Sequence, residues 1–312
     1  MKILYFGIFE RPYDTEVYIA KTLEKMGHEV NRCFIVKYTA KEALKLVEET
    51  PHDFILFSKG WLANSVDEHR IFIDRVKSLK IGWFFDLVWG TPHEHLIWSH
   101  PVFGADLVFT TDGGHQKKFK NAGINHACLR QGIYEPEAVL GESMDKYKRD
   151  IIFLGTNSHP FWAHRENILR WLEKTYKDRF EWVGKYDGVR NMKLNNVLAS
   201  VKVVVGDSVV SPYYWSNRLY EVIGRGGFLL FPYVEGIEKE FIPYKHFIPY
   251  TPGRWEELKE KIDYYVSHDD ERNKIRLAGF EHCKKNHTYR HRCEKFIKKV
   301  NEYSSPRSKL VC

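Results

Sequence analysis

The chain has 312 residues, 43% of them hydrophobic and 29% charged, with a formal net charge of +7, enough apolar material for two domains of ordinary size. No apolar run approaches the roughly 20 residues of a membrane-crossing helix, and MKILYFGIFERPYD turns charged too soon for a signal peptide, which predicts a cytoplasmic protein, or one in a host cytoplasm if phage-encoded. Five cysteines, odd in number, far apart and without a C-x-x-C pair, point to neither a disulfide framework nor a structural zinc site. The basic excess favours an anionic partner such as a nucleotide, a phosphorylated substrate or a nucleic acid. Much of it comes from KKNHTYRHR and KFIKK near the C-terminus, which read equally well as the solvated face of a helix.

KILYFGI (2–8) is a short apolar run leading into a loop, and DTEVYIAKTLEKMGHEV has helical spacing ended by Gly27. CFIV (33–36), a helix over Ala40 to Glu49, DFILFS (53–58), a helix over Val66 to Leu79 and KIGWFFD (80–86) continue the alternation. ADLVFTT (105–111), a helix near His115 to Ala122 and HACLRQ (126–131) close the first series. Short apolar strands alternating with helices predict a parallel sheet covered on both faces.

IYEPEAVLGESMDKYKR, between Ile133 and Arg149, is polar and aperiodic and reads as a linker. A second series follows: DIIFLG (150–155), a helix over 164–176, FEWVG (180–184), a helix over 191–200, VKVVVGD (201–207), a helix over WSNRLYEVIG (215–224), GFLLFP (227–232), a helical GIEKEFI, HFIPY (246–250), a helix from Trp255 to Ser267, and C-terminal helices. The fold class expected is α/β: two doubly wound parallel-sheet, Rossmann-like domains over 1–140 and 149–286, with a helix and tail over 287–312 that could pack back on the first. In such domains ligands bind beyond the carboxyl ends of the strands.

The loops after strands therefore hold the candidate chemistry. Backbone N–H groups around Gly155, Thr156 and Asn157 precede a helix whose first turn carries Arg165, an arrangement suited to an anion as well as to an ordinary turn. Neither G-x-G-x-x-G nor G-x-x-x-x-G-K-[ST] occurs. Arg218 and Glu221, at i and i+3 after Asn217, share a helix face. The guanidinium can clamp phosphate while the carboxylate accepts hydrogen bonds from a ribose diol; the other reading is a weak surface ion pair. Gly224, Gly226 and Gly227 would let backbone approach a ligand closely.

These blocks, R218-L-Y-E221-V-I-G-R-G-G-F-L-L, then E-F-I-P-Y-K-H-F-I-P-Y, H268-D-D-E-R and H287-T-Y-R-H-R292, resemble the C-terminal half of GT-B nucleotide-sugar glycosyltransferases, specifically the CgeB-like group. The match covers about residues 150–300. ADLVFTTDGGHQKKFKNAGI resembles the companion domain. More distantly, Asp207, Arg218 and Glu221, with D150-I-I-F-L-G-T and R165-E166, are similar to phage β-glucosyltransferases that modify hydroxymethylcytosine in DNA. The resemblance implies a nucleotide-sugar co-substrate, UDP-linked by analogy, with Arg165 and Arg218 on the diphosphate beside Gly155, Thr156, Asp207 and Asn217. Glu221 would take the ribose and backbone near Val189 the base. Where the family loop has an additional Arg, this chain has His159 and His164. It also implies that no metal or other cofactor is needed, since arginines neutralise the leaving diphosphate. The sequence has no D-x-D at a strand end, and Asp269 and Asp270 read as a loop or helix cap.

Transfer with inversion needs a general base, and Asp86 is the candidate. It ends KIGWFFD, follows apolar residues expected to desolvate it and raise its pKa, and matches the catalytic aspartate of the phage enzymes. The other reading is a strand-end cap. His93 and His95 are alternative bases, and Glu16, in the first turn of a helix, could touch sugar or acceptor. Retaining relatives carry a Glu where this chain has Tyr213, which favours inversion. The acceptor stays open between a hydroxymethylated base in DNA and a protein, polysaccharide or small metabolite. A sugar-nucleotide epimerase and a non-catalytic binding module are the competing functions.

Overall fold

The computed structural model describes residues 1–58, 60–156, 163–184 and 189–305, with the side chains of residues 163 and 164 outside the description. The chain divides into two compact units, residues 1–131 with 289–312, and residues 132–288.

The first unit contains β1 (Lys2–Gly7), α1 (Thr15–Lys25), β2 (Glu29–Phe34), α2 (Ala40–Glu49), β3 (Phe54–Phe57), α3 (Val66–Arg75), β4 (Lys80–Phe84), α4 (Leu96–Ser99), β5 (Leu107–Thr110), α5 (Gln116–Asn121) and β6 (His126–Cys128). All its strand pairs are parallel, in the order β2-β1-β3-β4-β5-β6. Strands β3 and β5 are buried at every residue, as a sheet covered on both faces requires. Alternate residues divide between the faces. Ile55, Phe57 and Val108 enter a core with Leu4, Phe6 and Phe72. Phe54, Trp83 and Phe109 point the other way, onto Phe296, with ring centroids 5.9, 5.4 and 5.1 Å away. Helix formation at α2 has a local cause: Thr39 Oγ1 accepts from the Glu42 N–H at 3.3 Å, and the Glu42 carboxylate accepts from the Thr39 N–H at 2.9 Å.

The second unit contains β7 (Arg149–Leu154), α6 (Ala163–Tyr176), β8 (Phe180–Val183), α7 (Asn191–Ser200), β9 (Val201–Val205), α8 (Arg218–Ile223), β10 (Leu229–Pro232), β11 (Ile248–Tyr250), α9 (Trp255–Ser267) and α10 (Asp269–Asn286). Its parallel sheet runs β11-β10-β9-β7-β8. The strand alternation is legible residue by residue. Ile152, Leu154 and Val204 face α7 and α8, while Ile151, Phe153, Val203 and Val205 face a core with Leu169, Leu172, Leu258 and Ile262. The last helix, α11 (Tyr289–Ser304), belongs to the first unit: Tyr289 packs on Tyr18 of α1, and Phe296 is the residue stacked on Trp83.

Several elements differ from expectation. The helix expected over Val66 to Leu79 stops at Arg75. GIEKEFI forms only a 3-10 turn, Ile237–Lys239. The helix expected over 215–224 starts at Arg218 and has only 6 residues. Trp215 is buried with its Nε1 donating to the Tyr220 hydroxyl at 2.8 Å, and Ser216 Oγ donates to the Asp207 carbonyl at 2.9 Å; both hold the preceding segment out of the helix.

Candidate functional site

Strands β7 and β9 are neighbours at the centre of the second sheet, and the chain winds outward from them in opposite directions. The carboxyl ends of two such strands form a crevice where loops diverge. Gly155 and Thr156 follow β7, and Gly206 and Asp207 follow β9. Asp207 is 2% exposed and takes two cations. Arg165, from the first turn of α6, donates from Nε to Asp207 Oδ2 at 2.7 Å and from Nη1 to the Thr156 carbonyl at 2.5 Å. Arg218, first residue of α8, pairs through Nη1 with Asp207 Oδ1 and donates to the Asp207 carbonyl at 3.1 Å. The guanidinium carbons lie 6.0 and 5.0 Å from the Phe153 ring centroid.

Two guanidiniums thus share the Asp207 carboxylate at the strand ends, with little water to solvate them. Burial pushes the Arg218 guanidinium down from its ordinary pKa; Asp207 opposes this and Arg165 adds to it. Gly155 makes the approach of Arg218 possible. Its φ is +142°, and a Cβ there would lie 2.2 Å from Arg218 Nη2. Trp182 Nε1 donates to the Gly155 carbonyl at 2.6 Å and the Tyr250 hydroxyl to that of Gly206 at 2.8 Å, fixing both strand-end turns. The side-chain oxygen of Asn217 is buried with no hydrogen-bond partner among the described residues.

Arg218 and Glu221 were candidates for a mutual ion pair; instead their side chains have separate partners. Glu221 Oε2 accepts from Arg225 Nε at 3.1 Å. Arg225, 3% exposed, pairs also with Glu137 and donates from Nη1 to Asn195 Oδ1 at 2.6 Å. The glycines are likewise used differently from expectation. A Cβ at Gly224 would lie 2.8 Å from Ile133 Cβ, and one at Gly226, where φ is +76°, would lie 2.3 Å from Leu140 Cδ2. They seat the segment that joins the two series closely against α8 and the turn after it. Val189 is partly buried against the core of the second unit, and its carbonyl accepts from Arg190 Nη1 at 3.0 Å. Asn157, His159 and the side chain of His164 lie outside the described residues. Asp269 and Asp270 open α10, where Asp269 pairs with Arg272 at 2.7 Å.

In the first unit Asp86 stands just past the end of β4, between buried Phe85 and Leu87. Asp86 itself is exposed, which corrects the expectation that its apolar neighbours bury it. Glu16 is 4% exposed near the carboxyl ends of β1 and β3, where the Ser58 hydroxyl donates to it at 3.1 Å. Burial, then the nearby Glu16 carboxylate, pushes the Tyr5 phenol well up. His93 is half-buried and His95 exposed, in the turn before α4. A residue pair that sequence reasoning missed lies past the end of β5. Fully buried Asp112 faces His115 Nδ1 at 2.9 Å and accepts from the Gly114 N–H at 3.0 Å. An imidazole held by a buried carboxylate has a fixed tautomer and orientation, as a general base needs. The signal was present as D-x-x-H directly after an apolar run, within TTDGGH.

Among the described residues, no group of three or more His, Cys, Asp or Glu could hold a metal ion, and no helix is long and apolar enough to cross a membrane.

Residues 164–298 match a family model described as glycosyl transferase-like. No curated protein is similar in sequence. Among solved structures, the chain is similar to a glycosyltransferase from Rickettsia africae ESF-5, at 12% identity and a TM-score of 0.65 over 98% of this chain and 99% of that one. It is similar to Anabaena HepE in complex with UDP and glucose, at 11% identity and a TM-score of 0.69 over 96% of this chain and 99% of that one. An alpha-glucosyltransferase in complex with UDP and a 13-mer DNA containing a central A:G mismatch matches at 12% identity and a TM-score of 0.63, over 96% of this chain and 98% of that one.

Proposed function

We propose that this chain, a glycosyltransferase built on the GT-B fold, moves a sugar from a UDP-sugar to an acceptor hydroxyl, with inversion and without a metal in the transfer step. The observation that carries the donor reading is the pair of guanidiniums, Arg165 and Arg218, held together on the Asp207 carboxylate. A diphosphate at this corner would accept charge-assisted hydrogen bonds from guanidiniums already held in place. Backbone at Gly155 and Thr156 lines the same turn. Glu221 accepts from the ribose, Asn217 supplies a further polar contact, and backbone near Val189 meets the base. The choice of uridine is supported by the fold shared with HepE, which was solved with UDP and glucose.

In this reading Asp86 takes the proton of the acceptor hydroxyl as its oxygen bonds to the anomeric carbon. The bond from that carbon to the diphosphate oxygen breaks on the opposite side, and its electron pair leaves on UDP, whose charge Arg165 and Arg218 compensate. Glu16, His93 and His95 line the sugar or acceptor side. His115 is a second candidate base, favoured by its contact with buried Asp112.

We propose a hydroxymethylated base in DNA as the acceptor, supported by the net charge of +7 and by the fold shared with a glucosyltransferase solved on DNA. In a duplex such a base would have to leave the stack. The test begins with thermal unfolding in the presence of UDP-, GDP- and ADP-sugars, because a ligand at 100 times its Kd adds about 2.7 kcal/mol of stability. UDP-sugars should raise the melting temperature; no shift with any nucleotide sugar would refute the donor site. Mass spectrometry of hydroxymethylcytosine DNA incubated with the stabilising donor then reads transfer, and transfer to a protein, glycan or metabolite instead would replace the acceptor.

A further inference from the structure

We propose that Arg225 is a positioning residue for ribose recognition, presenting the carboxylate of Glu221 to the nucleotide; this rests on the reading of Glu221 as the ribose acceptor. Arg225 follows the C-terminal end of α8, one turn beyond Glu221. Its Nε and Nη2 both lie 3.1 Å from Glu221 Oε2. That oxygen is thereby committed, and Oε1, with both its lone pairs, is left for the diol. The Glu221 side chain is 22% exposed, whereas that of Arg225 is 3% exposed, so the carboxylate looks outward from a buried support.

The support is itself determined. Nη2 of Arg225 pairs with Glu137, and Nη1 donates to Asn195 Oδ1 at 2.6 Å. The amide of Asn195 has one orientation that fits: its Nδ2 donates to the carbonyls of Glu137 at 2.9 Å and Val139 at 2.6 Å, so its oxygen faces the guanidinium. The fork of Arg225 is therefore held by a carboxylate and an amide that come from outside α8. The two carboxylates, Glu221 first, hold the Arg225 pKa above its ordinary value against the opposing effect of burial. A flexible glutamate at a mobile angle would lose rotamer freedom on binding ribose, and this arrangement removes that cost in advance. Glu137 lies in the segment that joins the two series, so that segment contributes to donor recognition without touching the donor.

The test compares binding of UDP and of 2′-deoxy-UDP by titration calorimetry. The wild type should prefer UDP by about tenfold or more, the value of a hydrogen bond to a charged acceptor. The double variant Arg225→Met with Glu137→Gln removes the support without stranding a buried carboxylate. Its preference should fall to about twofold, with affinity for 2′-deoxy-UDP nearly unchanged. Arg225→Lys keeps the buried charge but loses the fork, should recover part of the preference, and provides the same ratio if the double variant does not fold. The ratio is independent of the folded fraction, so a merely structural role would leave it unmoved. A preference retained in these variants overturns the positioning role alone. A wild type that binds both nucleotides equally, or neither, overturns the reading of Glu221 and the inference with it.

Discussion

Arg165 and Arg218 meet on opposite oxygens of the Asp207 carboxylate, Arg165 Nε on Oδ2 and Arg218 Nη1 on Oδ1. A guanidinium carries more N–H donors than one carboxylate can occupy. The arrangement stores two cations near a strand-end turn at the cost of one buried anion. Replacing that anion by Asp207→Asn should destabilise the protein by about 3–5 kcal/mol, the range for breaking a buried pair, because two guanidiniums lose their counter-charge. Urea unfolding at neutral pH reads this directly. Added UDP should restore more stability to the variant than to the wild type if the diphosphate takes the place of the carboxylate; equal stabilisation counts against it.

Gly155→Ala tests the same corner from the backbone. The new Cβ would lie 2.2 Å from Arg218 Nη2, and a φ of +142° is strained for any L side chain. The Arg218 guanidinium has to move to admit it. The expected outcome is weaker UDP binding by about tenfold or more, one charge-assisted contact, together with a lower melting temperature. Unchanged affinity would show that Arg218 does not bear on the nucleotide.

How much of this was legible in the sequence differs from residue to residue. The strands were, because short apolar runs such as DIIFLG and VKVVV are what a sheet buried on both faces demands. Arg165, Asp207 and Arg218 were legible as candidates, since each follows a strand. Their joint contact was not, because a guanidinium reaches several partners and only the packed strand ends decide which. Glu221 illustrates the same limit: helical spacing put it beside Arg218, but Arg225 is equally near along the helix and is buried, so it takes the carboxylate. Glu137 was invisible in a polar, aperiodic segment. Asp86 was legible by position but not by environment, since alternating apolar neighbours do not say which way a strand-end carboxylate turns.

Asp86 and His115 make opposite predictions as the base. Asp86→Asn should lower the rate of transfer by about a hundredfold to ten-thousandfold if Asp86 is the base, with UDP affinity unchanged, whereas His115→Ala should leave the rate within about twofold. The reverse pattern assigns the proton to His115. Asp112→Asn then distinguishes orientation from chemistry: it should reduce the rate only where His115 is the base, because Asp112 fixes the imidazole through contacts of 2.9 and 3.1 Å to Nδ1. Single-turnover measurements with saturating donor separate these effects from binding.

Acid sensitivity should come in part from two buried histidines of the first unit. His69 is fully buried against Phe57 and His100, and its pKa is pushed down to about 3, chiefly by burial and then by His100. His100, 6% exposed against Trp61, Phe84 and Phe103, is pushed down to about 4 by burial. The Val102 N–H donates to His100 Nδ1 at 3.2 Å, which requires that nitrogen unprotonated. Both rings are thus neutral when folded and gain protons near pH 6.5 when unfolded. Because the folded pKa values are the lower ones, these residues favour the folded state fully above pH 6.5 and lose that contribution as pH falls toward 4. Between pH 7 and pH 5 the loss should be about 2 kcal/mol per histidine. The carboxylates with lowered pKa, such as Asp150 between Lys202 and Arg179, start from about 3.8 and titrate below this window. Urea midpoints at pH 7 and pH 5 should therefore differ in the wild type and differ less in His69→Gln, whose side chain takes up no proton. An equal pH dependence in that variant would mean that His69 is protonated in the folded protein as readily as in the unfolded chain.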